Sequence, residues 1–199
     1  MTADTEGRKT RDRAPVEHFE RLARSSEDPW NYATSEYEQK KYLDTLDHLP
    51  PRTGRTLELG CSVGVFTAML APRCAALSAV DFSPTALRRA RERLGEAPGV
   101  TFEQRRLPEG MPDGPFDTVV CAEILYYWSA DLVREGLRRI EAALASPGTL
   151  LVVSWRHADP RRELDGDDVH RIIDAETNLH LDASSTKPDY LLDRWVARP

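Results

Sequence analysis

Short, largely apolar runs recur along the chain: RTLEL at 55–59, AALSAVD at 75–81, FDTVVCAEIL at 116–125 and GTLLVVSW at 148–155. Little strict alternation interrupts them, which is the pattern of strands covered on both faces in a parallel sheet. Between them, apolar residues return every three or four positions. That spacing predicts helices over 35–49, 65–71, 83–94, 130–145 and 165–177. Ser35 with Glu38, and Ser83 before Pro84, read as N-terminal caps. GVTFEQRRL (99–107) reads as a further strand, and PEGMPDGP (108–115) is too rich in Pro and Gly for a helix, so that crossover is expected to be a loop. SPG at 146–148 is expected to stop the helix before it. LHLDASST and YLLDRWVARP, at the end, are expected to close the sheet as a hairpin.

Strands and helices in alternation give an α/β class, doubly wound around a mostly parallel sheet of seven strands, with an antiparallel C-terminal hairpin. Residues 1–28 are polar and mixed in charge, so a mobile or loosely helical arm is expected there, with one domain over 29–199.

Composition narrows the partners. The 199 residues carry a net charge of −6, against the basic excess of a nucleic-acid binder. No run reaches the roughly 20 apolar residues of a membrane span, and the N-terminus lacks a signal-peptide apolar stretch. Three cysteines without CxxC spacing read as reduced thiols, so a cytoplasmic location and no metal site are expected. A monomer or homodimer is expected.

The chemistry concentrates in ELGCSVG at 58–64. Gly60 and Gly64 lack Cβ atoms where a strand turns into a helix, so a ligand can approach the backbone there. Taken alone, such a turn is as compatible with plain packing. Asp81 stands 21 positions after Gly60 at the end of the second strand, where a carboxylate holds a ribose diol. CAEILYYW at 121–128 ends the fourth strand at the same edge. A dinucleotide site needs G-x-G-x-x-G, which Cys61 and Ser62 break. Glu58 would repel a pyrophosphate but suits a ligand carrying an ammonium or sulfonium charge.

With these residues the chain resembles the class I S-adenosylmethionine-dependent methyltransferases, whose first motif has the form E-x-G-x-x-x-G. DPWNYATSEYEQKKY before LELGCSVGVFTAMLAPRC, with CAEILYYW later, is similar to the nodulation protein S family of N-methyltransferases. The resemblance implies that S-adenosyl-L-methionine is the cofactor and that the acceptor is a small molecule such as an amino sugar. It implies Gly60, Cys61, Ser62 and Gly64 along the methionine and ribose, Glu58 orienting the turn or the amino group, Asp81 on the ribose hydroxyls and Phe82 on adenine. The family commonly has an acid at the third-strand tip; Arg106 stands there, leaving adenine to backbone groups around Arg106 and Leu107. Ala122 would face the cofactor, Glu123 the reacting methyl, Tyr127 the cofactor and Tyr126 the acceptor. Trp30, Tyr32 and Tyr37 would form a lid, with packing as the alternative for Tyr37. Glu123 and His157 are the candidate bases, His157 being equally readable as an exposed loop residue, and Asp165, Asp167, Asp168 and His170 are carboxylates and imidazole available to a polar acceptor. An O-methyltransferase, a non-catalytic adenosyl-binding protein and an NAD-dependent oxidoreductase are the competing readings.

Overall fold

The computed structural model describes residues 16–198. Helix α1 (Val16–Ser25) and helix α2 (Glu36–His48) precede strand β1 (Gly54–Leu59). Then follow α3 (Val65–Leu70), β2 (Cys74–Asp81), α4 (Pro84–Leu94), β3 (Val100–Gln104), β4 (Phe116–Ala122), α5 (Ala130–Ala143), β5 (Leu144–Trp155), α6 (Gly166–Glu176), β6 (His180–Thr186) and β7 (Tyr190–Ala197). The seven strands lie in one sheet in the order β3-β2-β1-β4-β5-β7-β6. β1 pairs in parallel with β2 and β4, while β7 runs antiparallel to both β5 and β6. The expected C-terminal hairpin is therefore present, its second strand inserted beside β5.

The unbroken apolar runs are buried on both faces because successive side chains alternate. Leu150 and Val152 of β5 join the core under α5 and α6, with Val133, Leu137, Ile140, Val169 and Ile173. Leu151 and Val153 join the opposite core, with Tyr42, Leu46, Phe66 and Leu70 of α2 and α3.

Several boundaries differ from expectation. The fourth strand ends at Ala122, not at Leu125, because Glu123 turns into the left-handed region at φ 59° and Leu125–Tyr127 forms a single 3-10 turn. SPG does not stop a helix before the strand; Ser146–Gly148 lies inside the start of β5. Ser35 caps α2 by accepting from Glu38 N–H at 3.3 Å, but the reciprocal half of a capping box is missing, since the Glu38 carboxylate is drawn to Lys41. Much of the N-terminal arm, 1–15, lies outside the described residues; 16–25 is the helix α1, docked against α4. Glu20 makes that dock: it accepts from the hydroxyls of Ser83 and Thr85, the latter at 2.6 Å, at the positive end of α4.

Candidate functional site

The chain reverses its strand order beside β1, where β2 lies on one side and β4 on the other, and a crevice opens at their carboxyl ends. A pocket there is walled by the tips of all three strands. At the β1 tip, the Gly60 and Cys61 N–H groups both donate to Val80 C=O, at 2.8 and 3.0 Å. This fold-back needs positive φ at Gly60 (75°) and Ser62 (49°). A Cβ on Gly60 would stand 3.0 Å from Ile124 Cδ1, the movable end of that side chain, so the demand for glycine there comes chiefly from the conformation. Gly64 has a different task. Its φ of 77° starts α3, and a Cβ would meet Ala90 of α4 at 2.8 Å. Expected at the ligand, Gly64 instead lets two helices touch, and it is not on the pocket wall.

Asp81, 8% exposed, stitches the turn to its own strand: Oδ2 accepts from Ser62 N–H at 2.9 Å and Oδ1 from Ser83 N–H at 2.8 Å. Burial raises its pKa, against the backbone N–H groups of Ser83, Ser62 and Phe82, which lower it. Each oxygen keeps a further lone pair for a ligand. Glu58 is 3% exposed and its Oε2 has no hydrogen-bond partner. Desolvation pushes its pKa up to about 7, the neighbouring Thr67 hydroxyl working against it and the Asp81 charge with it. A buried carboxyl oxygen without a donor is costly, and this one stands on the pocket wall.

Of the remaining expected cofactor residues, Cys61, Phe82, Arg106, Leu107 and Ala122 line the pocket, as do Trp30, Tyr32 and Tyr127. Trp30 and Tyr32 stack at 5.4 Å between ring centres. Arg106 is exposed, and its carbonyl accepts from Gly110 N–H at 2.7 Å, which closes a turn over 106–110 at the tip of β3.

The acceptor-side expectations fare less evenly. Glu123 is on the wall, with Oε1 2.7 Å from Lys41 Nζ and Oε2 accepting from Tyr126 O–H at 2.6 Å and Trp155 N–H at 2.9 Å. Tyr126, expected to face an acceptor, is buried at 4% exposure and absent from the wall; strand alternation does not extend into the 3-10 turn that carries it. His157 lies outside the pocket, its Nε2 2.8 Å from Asp189, at an exposed position. The 165–170 cluster is absorbed by the fold: Asp165 and Asp168 cap α6 reciprocally, Asp167 pairs with Arg156, and His170 pairs with Asp193 at 2.7 Å in the core. Tyr37 packs edge-on against Trp155 and Tyr190, away from Trp30 and Tyr32.

Helix α1 contributes what the sequence pattern left unread. Phe19 lines the pocket and meets Phe82 at 6.0 Å, Trp30 at 6.4 Å and Tyr127 at 5.0 Å, so it stands at the centre of an aromatic collar. Its periodicity, VEHFERLARS, was the available signal.

The sequence model of the nodulation protein S family matches residues 14–186. The chain belongs to the nodulation protein S family. Nodulation protein S of Bradyrhizobium diazoefficiens is 36% identical over 135 residues, which is 65% of this chain and 64% of that protein. A Mycobacterium tuberculosis protein described as an uncharacterized methyltransferase is 32% identical over 127 residues, 64% of this chain and 61% of its own length. The chain thus spans under two thirds of either relative. The crystal structure of the N-methyltransferase NodS from Bradyrhizobium japonicum WM9 with S-adenosyl-L-homocysteine superposes with a TM-score of 0.82 at 25% identity, covering 92% of this chain and 98% of that one.

Proposed function

We propose that this protein is an S-adenosyl-L-methionine-dependent methyltransferase that methylates a nitrogen of a small amine, such as an amino sugar or a natural-product intermediate. One observation carries the reading: three carboxyl groups, Glu58, Asp81 and Glu123, line a pocket otherwise walled largely by aromatic and aliphatic side chains. Such a wall suits a nucleoside with a ribose diol, an ammonium and a sulfonium, and carboxylates with aromatic faces also favour a cationic acceptor over a neutral one. The residues fit the cofactor. Glu58 Oε2 lacks a donor that an amino group would supply, Asp81 has lone pairs for the ribose hydroxyls, and Gly60 leaves its backbone bare. Phe82 and Leu107 would pack against adenine.

When bound, the cofactor supplies an electrophilic methyl group to the lone pair of the acceptor in an in-line displacement. The protein's part is placement, which in well-aligned systems lowers a barrier by up to ~7–11 kcal/mol. Phe19, Trp30, Tyr32 and Tyr127 would exclude water above the sulfonium. Glu123 would draw an ammonium acceptor to the wall by charge. With His157 outside the pocket and both Glu123 oxygens engaged, proton release from the amine is assigned to solvent.

Calorimetry with S-adenosylhomocysteine and with NAD tests the cofactor, and Asp81→Ala should weaken the former by roughly 2–4 kcal/mol. Methylation with deuteromethyl-labelled cofactor, using a glucosamine tetramer, simple diamines and alcohols as acceptors, then locates the methyl by fragmentation. A methyl on oxygen would replace the amine reading with the O-methyl one; binding without transfer to any acceptor would favour a non-catalytic role.

A further inference from the structure

Three lysines are described, and their exposures separate them: the side chains of Lys40 and Lys187 are 70% and 39% exposed, that of Lys41 only 4%. Its ammonium, on α2, sits 2.7 Å from Glu123 Oε1 and 3.1 Å from Glu38 Oε1. Burial works against that charge, but the two carboxylates outweigh it and its pKa is raised. A buried ion pair of this kind contributes little net stability, since apolar side chains of the same volume do as well. Its use must be sought elsewhere, and Glu123 indicates where. That residue holds the left-handed conformation directly after β4, its N–H donating to Val153 C=O at 2.9 Å. Its carboxylate then receives donors from three separate elements: Lys41 of α2, the Tyr126 hydroxyl of the 3-10 turn and the Trp155 N–H at the end of β5. Lys41 itself does not line the pocket, whereas Glu123 does.

We propose that Lys41 is a positioning residue for methyl transfer, acting through Glu123 to fix the carboxylate on the acceptor side of the pocket and to tie α2 to the tip of β4. This rests on the pocket assignment above. Two carboxylates around one ammonium leave an excess negative charge beside the wall, so the clamp orients Glu123 without cancelling its pull on a cationic amine.

The test compares Lys41→Met, Glu123→Gln and the double variant with the wild type. With the glucosamine tetramer as acceptor, Lys41→Met should lower kcat/KM by at least about tenfold, the scale of one charged hydrogen bond. S-adenosylhomocysteine affinity should change by no more than about twofold, because Lys41 touches no cofactor residue other than Glu123. The double variant should be no slower than Glu123→Gln alone. An acceptor-free measurement runs beside it: the Trp155 amide resonance should move on Lys41→Met in the wild-type background and stay put on the Glu123→Gln background. Wild-type turnover by Lys41→Met, losses that multiply in the double variant, or an unmoved Trp155 amide would each overturn the proposal. Should Lys41→Met alone not fold, the double variant, in which the stranded carboxylate is also neutralised, carries both comparisons against Glu123→Gln. Should the tetramer prove no acceptor while S-adenosylhomocysteine binds, the amino-sugar acceptor fails and the Trp155 amide still decides the role of Lys41.

Discussion

A carboxyl group 3% exposed with one oxygen unpaired works against the fold that contains it, and Glu58 is such a group. Its pKa is about 7 in the fold against 4.5 ordinarily. Below pH 4.5 it is protonated in folded and unfolded chains alike and costs nothing by this route. Between 4.5 and 7 the unfolded chain releases the proton first, so stability falls as pH rises, and above 7 the full penalty, about 3 kcal/mol from the shift, is in place. Glu58→Gln should therefore raise the stability of the ligand-free protein at pH 8 more than at pH 5, by urea unfolding at the two pH values. Cofactor affinity should move the opposite way. An ammonium selects the carboxylate, so wild-type affinity for S-adenosylhomocysteine should fall as pH drops below 7, and Glu58→Gln should abolish that slope. A flat wild-type profile from pH 6 to 8 would remove Glu58 from the amino-group contact. The two glycines of the turn separate by the same kind of comparison. Gly64→Ala puts a Cβ 2.9 Å from the Ala90 backbone at a φ of 77°, and left-handed alanine alone costs ~1–2 kcal/mol, so the melting temperature should fall. Gly60→Ala meets only the movable end of Ile124 but fills the ligand's approach, so its affinity loss should exceed what its stability loss explains. The sequence could not tell these glycines apart, because the neighbour of each comes from another element.

At the scale of elements, legibility follows how local the cause is. Helix α4 was readable from Ser83 and Pro84 because cap and first turn are adjacent in the chain. The parallel strands were readable because burial on both faces leaves no polar alternation to obscure them. Helix α1 was not placed, although VEHFERLARS has helical spacing, since its docking partners Ser83 and Thr85 lie 63 and 65 positions from Glu20. Much the same holds for the charged residues at 157–170. Their charge suggested contact with a polar acceptor, yet Asp189 and Asp193, far along the chain, pair with His157 and His170. Lys41 was passed over because only folding brings it to Glu123, 82 positions on. The collar around Phe19 puts α1 on the pocket wall. Each ring contact is worth ~0.5–1.5 kcal/mol, so Phe19→Ala should weaken S-adenosylhomocysteine binding by roughly 5- to 30-fold, chiefly through faster release, by stopped-flow fluorescence. Unchanged release would mean that α1 packs beside the ligand without retaining it.

Over the whole molecule, the site and the antiparallel edge occupy different regions of one sheet. The pocket lies at the tips of β1, β2 and β4, while Trp195 of β7, fully buried, donates from Nε1 to Asp174 of α6 at 2.7 Å on the antiparallel side. Site residues, by contrast, carry costs: an unpaired carboxyl at Glu58, positive φ at Ser62 and Glu123, a buried ammonium at Lys41. A ligand that satisfies the first of these binds the folded chain alone and should stabilise it by mass action. At a free concentration of 100 times its dissociation constant, S-adenosylhomocysteine should contribute about 2.7 kcal/mol, which for a domain of this size corresponds to a rise in Tm of roughly 5–10 °C. NAD at the same concentration should give no rise, because its pyrophosphate would face Glu58 and Asp81. Trp195→Phe separates the two regions. Losing the indole N–H removes its bond to Asp174 and lowers Tm, but the increment from S-adenosylhomocysteine should remain the same size, since the hydrogen-bond and ring partners of Trp195, Asp174 and His170, are not on the pocket wall. A smaller increment in that variant would show that the antiparallel edge and the cofactor pocket are coupled through β5, whereas an increment equal to the wild type's places the free energy of binding at the carboxyl ends of β1, β2 and β4.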